Sequence, residues 1–324
     1  CSGISTSRIT SSSVFTGREG ELLSYKNFEE LTKVVKTSGK KCVVVAAAQD
    51  AHALKAIFRA SDEGILDYIL VGKTEEILFL AKELGYSVAK ERIVKAEDTK
   101  QAACQAVELI RQGTGDFLMK GKLETETLLR QVVNKENGIG LGGLMCHMAL
   151  IEVPSYPKLL GLTDSGMVIN PDYGQKKEIL KKGIGFFHKI GVSCPKVSCL
   201  AAVEKVNAKM PETEDGAALK EEALKGEFGE CYVEGPISCD LTFSREAAKA
   251  KNYKSPVTGD VDLLLVPNMV TGNIIGKILT CLAGAKMAGC VLGAKVPIVL
   301  TSRGSSFEEK YNSLILCAAW TGRN

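Results

Sequence analysis

The side chains best suited to chemistry lie near the C-terminus, where the chain reads Val-Pro297-Ile-Val-Leu-Thr301-Ser302-Arg303-Gly304-Ser305-Ser306-Phe-Glu308-Glu309. An apolar run here delivers hydroxyls, an arginine and two carboxylates to the start of a helical stretch, and the carboxyl ends of strands are where open α/β sheets bind ligands. Free amides and the helix dipole favour an anion at such a place. Arg303 adds a planar fork able to grip two phosphate oxygens. A plainer reading covers the same residues: Ser305-x-x-Glu308 and Ser306-x-x-Glu309 both fit the capping box, which only starts a helix. Spacing alone leaves both readings open.

A second cationic group, Lys120-Gly121-Lys122, follows Asp-Phe-Leu-Met, with Arg130 eight residues beyond Lys122. Two lysines around a glycine at a strand end can neutralise an anion, although a solvated basic turn is the commoner use of such residues. Thr125 and Thr127 either cap the next helix or touch a phosphate. Asp164, within Gly-Leu-Thr163-Asp164-Ser165-Gly166, could hold a metal or orient a ligand, but a loop aspartate more often shapes a turn. His147 sits in an apolar strand pattern and reads as a satisfied core histidine. Cys146 and Cys317 have apolar neighbours and no adjacent cation to activate a thiolate, so they read as packing groups.

The elements that must position these residues alternate between short β-branched runs and helical patterns, the rhythm of a mostly parallel α/β sheet covered by helices. Strands are predicted over 41–48, 67–71, 116–119, 145–152, 158–162, 196–201, 261–266 and 296–301. Helices are predicted over 51–62, 74–84, 99–112, 124–134, 173–190, 215–224, 272–287 and 306–318, with Asp172 as the cap of the fifth. Glycine clusters at 138–143 and 284–293 mark two places where the chain crosses between domains. The expected division is a first, discontinuous domain of residues 25–143 plus 294–324 and an inserted second domain of 144–293, with a cleft between them. Residues 1–24 are Ser-rich, lack an apolar core of a secretory signal, and read as an added or disordered leader.

Composition narrows the function. With 324 residues, 45% hydrophobic and 24% charged, the chain has the make-up of a folded globular protein rather than a disordered one. The 41 basic and 38 acidic residues leave a net charge of +3, too small to suggest a nucleic-acid surface or a polybasic membrane anchor. No apolar run reaches the ~18 residues of a membrane span. Eleven cysteines without a Cys-x-x-Cys pair suit reduced thiols in a cytoplasmic protein, and three histidines make a structural zinc site improbable.

Several segments together resemble the phosphate acetyl/butyryltransferase family, and within it the phosphate butyryltransferase branch. They are Lys-Gly-Lys122-Leu with Thr127 and Arg130, Ala202-Val-Glu-Lys-Val-Asn207-x-Lys-Met-Pro211, Gly235-Pro236-x-x-x-Asp240, Leu-Val-Pro267-x-x-x-x-Gly272-Asn273, and Ala283 through Arg303. The resemblance covers residues ~27–318. It implies two α/β domains like those of isocitrate and isopropylmalate dehydrogenases, an interdomain active site, a homo-oligomer of at least two chains, and no tightly bound cofactor or metal. Acyl-CoA, CoA and phosphate are the implied substrates. Arg303 would hold the phosphate and developing charge, Ser302 would stabilise the oxyanion, and Glu309 would take the CoA thiol proton. Arg130, Lys120, Lys122, Thr127, Ser305, Gly272 and Asn273 form the implied phosphate and CoA-binding set. Two departures stand out: Asn268 occupies a position where the family commonly has aspartate, and a further phosphate-side arginine has only Arg92 and Arg111 as candidates by neighbourhood.

A carboxylate of ordinary pKa ~4.3 taking a proton from a thiol near ~8.5 faces about 4 units, or ~6 kcal/mol, if transfer precedes attack. Concerted transfer within a ternary complex is therefore expected, without an acyl-cysteine. The competing functions are phosphate acetyl transfer, a decarboxylating dehydrogenase of the same fold, and a catalytically silent CoA-binding module. The dehydrogenase would need a cleft cluster of aspartates and a dinucleotide motif, and neither is evident.

Overall fold

The computed structural model of the chain describes residues 24–302 and 304–322; the readings made above for residues 1–23 and for Arg303 fall outside them. The chain begins with α1 (Phe28–Thr37), β1 (Lys41–Ala46), α2 (Ala51–Asp62), β2 (Leu66–Gly72), α3 (Thr74–Glu83), β3 (Ile93–Lys95), α4 (Thr99–Arg111), β4 (Phe117–Lys120) and α5 (Thr125–Val132). It continues through β5 (Cys146–Glu152), β6 (Leu160–Thr163), α6 (Tyr173–Ile190), β7 (Lys196–Leu200), α7 (Pro211–Leu224), β8 (Tyr232–Ile237), α8 (Cys239–Phe243) and α9 (Arg245–Ala250). The last elements are β9 (Leu263–Leu265), α10 (Met269–Leu282), β10 (Lys286–Leu292), β11 (Ile298–Val299) and α11 (Phe307–Thr321).

Among the described residues the strands form one sheet in the order β3-β2-β1-β4-β11-β10-β5-β6-β9-β7-β8. Pairing is parallel except at its middle, where β11 with β10, β10 with β5, and β5 with β6 run antiparallel. Both chain crossings meet here: Gly140 bridges Ala294, and the Lys295 amide donates to Ile139 O at 2.8 Å.

Strand alternation divides the interior into two faces. Val43 and Val45 join one core with α2, α6 and α11 packed on it, and this core runs the full width of the sheet, from Leu66 in β2 to Val233 in β8. Val44 and Ala46 point the other way, into a core covered by α4 and α5. On that second face the apolar packing stops and a separate core begins, formed by Ala149, Ile151, Leu160 and Leu162 under α10. The fold is thus an α/β/α sandwich with one continuous and one interrupted layer.

Three strands depart from the sequence-based expectation. The helix expected over 272–287 ends at Leu282, because Gly284 takes a left-handed φ of 64° and breaks it. The residues after it, Lys-Met-Ala-Gly-Cys-Val-Leu, form the central strand β10, whose last five residues are buried. A strand buried on both faces shows no alternation, and its small residues lack a β signature. Likewise β8, Tyr-Val-Glu-Gly-Pro-Ile, contains the Gly and Pro that weaken a strand pattern, and it lies at the sheet edge, where proline is tolerated. The third, β3, is a three-residue strand at the opposite edge. Among the described residues no helix is long and apolar enough to cross a membrane.

Every residue of α11 from Lys310 to Ala319 is buried, so this helix is packed on all sides rather than along one stripe. Truncating its fully buried Leu314 in Leu314→Ala should lower unfolding stability by about 3 kcal/mol in urea denaturation. A loss below about 1 kcal/mol would contradict the central packing role.

Candidate functional site

The gap in the second layer opens as a crevice between α5 and α10, floored by β5, β10 and the end of β11. It has two adjoining parts that share Lys120, Leu123, Glu124 and Ser302. The larger, a cavity of about 620 Å³, reaches past Lys122 and Lys310 to Gln49, Asp50 and His52 after β1. The smaller, about 350 Å³, is lined by Thr125, His147, Ser165, Gly272, Asn273, Gly276, Met287, Ser302 and Glu309, among others. Both lie beside the carboxyl ends of β4 and β11, where the parallel half of the sheet leaves strand ends uncovered.

The β11–α11 connection shows how the two readings of its sequence combine. Ser306 is the N-cap of α11, its Oγ accepting the Glu309 amide at 3.1 Å. The Glu309 side chain instead accepts from the Ser305 hydroxyl at 2.7 Å and lines the smaller cavity. The backbone half of a cap is present, and the carboxylate faces the crevice. Ser305 is buried, so its hydroxyl orients Glu309. Ser302 is exposed and lines both cavities. Beneath it the buried Lys310 donates to Thr301 Oγ1 at 3.1 Å and lies 3.9 Å from Asp50 Oδ2. Lys310 was not singled out in the sequence, where a lysine three residues into an apolar helix gives no sign of pointing beneath the preceding loop.

The other site candidates separate. Lys120 is buried, donates to Leu123 O at 3.1 Å, and lines both cavities. Lys122 stands exposed on the larger one. Thr125 reaches the smaller cavity, whereas Thr127 is not among the lining residues of either. Arg130 lies on the exposed side of α5, paired with Glu126 at 2.6 Å, and lines neither cavity. Arg92 pairs with Asp67 and Arg111 with Glu108, both also away from the lining.

Gly272 and Asn273 bring α10 against the loop after β6. A Cβ at Gly272 would fall 2.6 Å from Asp164 O, so only glycine permits this approach. The Asn273 amide donates to Ser165 O at 3.5 Å. Asn268 caps α10 by accepting the Thr271 amide at 3.0 Å, a task a neutral amide performs as well as a carboxylate.

His147, read from sequence as a core residue, lines the smaller cavity. Its backbone amide donates to Asp164 Oδ2 at 3.0 Å, and its Nδ1 is hydrogen-bonded with Ser165 Oγ at 2.8 Å. Asp164 shapes this loop from within, its Oδ1 accepting the Gly166 and Met167 amides at 2.7 and 2.8 Å. The imidazole lies across Gly289, where a Cβ would stand 2.7 Å from Nε2. Burial holds the ring's pKa below the usual histidine range, and the Asp164 carboxylate, which acts the other way, does not offset it. By alternation along β5, Cys146 points into the continuous core, and burial pushes its thiol up to about 12. Cys317 is buried too, with its thiol raised well above the ordinary value.

An α/β sheet with a polar crevice at its strand ends is the architecture of a small-molecule-binding enzyme. The chain belongs to the family described as "Phosphate acetyl/butaryl transferase", which matches residues 90–318. It is 40% identical over 297 residues to the phosphate butyryltransferase of Clostridium acetobutylicum, covering 92% of this chain and 99% of that one. It is 37% identical over 292 residues to the phosphate acetyltransferase of Thermotoga maritima, covering 90% and 99%. A crystal structure of a branched-chain phosphotransacylase from Enterococcus faecalis V583 superposes with a TM-score of 0.78 at 31% identity, covering 88% of this chain and 100% of that one.

A histidine held neutral by the fold adds stability above its unfolded pKa of ~6.5 and loses it as pH falls through its lower folded value. The melting-temperature advantage of the wild type over His147→Gln should therefore be constant above about pH 7 and shrink below about pH 6.5. Parallel curves from pH 8 to 5 would show that the imidazole is not held neutral.

Proposed function

We propose that this chain catalyses butyryl-CoA + phosphate = butyryl phosphate + CoA, in the cytoplasm. The observation that carries this reading is the Glu309 carboxylate, oriented by Ser305 into a crevice that Ser302, Lys120 and Lys122 also line. A proton acceptor, a hydroxyl donor and lysine cations are the groups that exchange of a thiol and a phosphate at one carbonyl carbon requires.

In the direction of thioester synthesis, the CoA sulfur attacks the carbonyl carbon of butyryl phosphate while Glu309 takes the thiol proton. Ser302 donates to the carbonyl oxygen as it gains charge. The carbon–oxygen bond to phosphate then breaks, and phosphate leaves against Lys120 and Lys122, with Arg303 assigned to it by sequence. Both substrates are bound together, and no acyl group is parked on the protein. Gly272 and Asn273 complete the proposed substrate-binding set by shaping the wall formed by α10, whereas Arg130 and Thr127, which line neither cavity, are left out of it. The interrupted layer supports the division into residues 25–143 plus 294–324 and residues 144–293, each contributing one wall.

The assay is phosphate-dependent thiol release from acetyl-, propionyl-, butyryl- and isobutyryl-CoA. Release fastest with butyryl-CoA is expected; preference for acetyl-CoA would favour acetyl transfer, the activity named for the Thermotoga relative, and no release would remove the assignment. Arg303→Ala and Glu309→Gln should each lower kcat about 100-fold or more, the second while keeping the Ser306 cap. Unchanged turnover in Glu309→Gln would return that residue to a purely structural role. Initial-rate patterns should intersect, and ping-pong kinetics would overturn direct transfer.

We also infer a homodimer. The outer side of α10 exposes Val270, Ile274, Ile278 and Leu282 at 54, 50, 51 and 82%, a four-residue spacing that aligns them in one apolar stripe. Sedimentation should give twice the chain mass, reduced to the single-chain mass in Ile274→Glu with Ile278→Glu. A monomeric wild type at micromolar concentration would refute the inference.

A further inference from the structure

We propose that Gly276, packed beside Met287 on the wall of the smaller cavity, sets the length of acyl chain the crevice accepts. This rests on the acyl transfer proposed above and assigns the part of the site that the reaction scheme leaves open.

The two glycines on the crevice side of α10, Gly272 and Gly276, stand one turn apart and differ in what they are for. At Gly272 a Cβ would collide with the Asp164 and Ser165 backbone, at 2.6 and 3.0 Å. At Gly276 the nearest atoms to a Cβ would be Leu162 Cδ2 and Met287 Cε, both at 3.7 Å, which is ordinary contact. Its backbone lies within α10, so no left-handed conformation demands glycine either. A glycine in a helix interior is less favourable than alanine. Packing therefore does not require one at 276, where an added Cβ would sit against Met287 on the cavity wall.

Next to Gly276 the wall is apolar, since the side chains nearest that Cβ position are Leu162 and Met287. Gly276 and Met287 share the cavity with Leu123 and Leu300, while Ser302 and Glu309, placed at the reacting carbonyl, line the same cavity. An alkyl chain attached to that carbonyl has these apolar side chains as its available wall. Met287 has an unbranched side chain that can adapt to chains of different length. Discrimination by such a wall is steep enough to matter, since one methylene in an apolar pocket changes kcat/KM about 10-fold or more.

The test measures kcat/KM for acetyl-, propionyl- and butyryl-CoA with wild type, Gly276→Ala, Gly276→Val and Met287→Ala. The expected result is a fall in the butyryl-to-acetyl ratio of about 10-fold in Gly276→Ala, a larger fall in Gly276→Val, and a shift toward longer chains in Met287→Ala, whose volume change is opposite. Equal changes with all three substrates would overturn the inference, because they would place Gly276 against the common pantetheine arm or the fold instead. If Gly276→Val fails to fold, Met287→Ala decides alone: an unchanged ratio there also overturns it. Wild-type inactivity with every acyl-CoA would be a separate failure, of the proposed reaction itself.

Discussion

The site exists because the two faces of one sheet are covered unequally. One face carries an unbroken apolar core across both halves of the chain, with α11 buried from Lys310 to Ala319. The opposite face carries two cores, one under α4 and α5 and one under α10, with a crevice between them. Apolar burial at roughly 25 cal/mol per Å² makes the unbroken layer the natural frame. The interrupted layer forgoes some of that burial and leaves Lys122, Ser302 and Glu309 lining an open crevice. Pairing of β11 with β10 and of β10 with β5 joins the halves through the floor of the gap.

Helix α11 links this frame to the chemistry. Its buried stretch includes polar groups, each with work to do: Ser313 Oγ accepts the Gly289 amide at 2.9 Å and donates to Glu309 O at 2.7 Å, and Lys310 reaches Thr301. Burying a polar group without a partner is costly, so these contacts fix the helix in rotation as well as position. Rotation decides which side of α11 Glu309 occupies. The carboxylate's place is therefore set by packing four residues further along, and the same Ser313 holds the β10 strand that floors the crevice.

Much of this was legible in the sequence where local signals are strong. Helices α2 and α6 appear with their predicted bounds because Asp50 and Asp172 cap them and their apolar spacing is regular. The β11–α11 segment was visible as a strand followed by a cap. Strand β10 was not, because a small-residue strand buried on both faces has neither alternation nor β-branched content. His147 was legible only in part. Its place on the face opposite Cys146 and Met148 follows from period two, but whether that face is covered depends on where α10 stops, more than a hundred residues later. Lys310 is similar: its type is a local fact, while its burial and its partner Thr301 depend on how the preceding loop packs over it.

The alternation at Cys146 and His147 also bears on the choice between direct and covalent transfer. Neighbouring residues on a strand face opposite ways, so the thiol enters the continuous core while the imidazole faces the crevice. A thiol raised to about 12 holds a negligible thiolate fraction near neutrality, and the surrounding core denies it a path to the acyl carbon. The imidazole, hydrogen-bonded with Ser165 and held neutral by burial, can take part in a hydrogen bond at the crevice floor without bringing a positive charge. With the cysteine beside the site turned away, the sulfur nucleophile that fits this crevice is the one the substrate brings, which is the condition for exchanging two soluble leaving groups on one carbonyl.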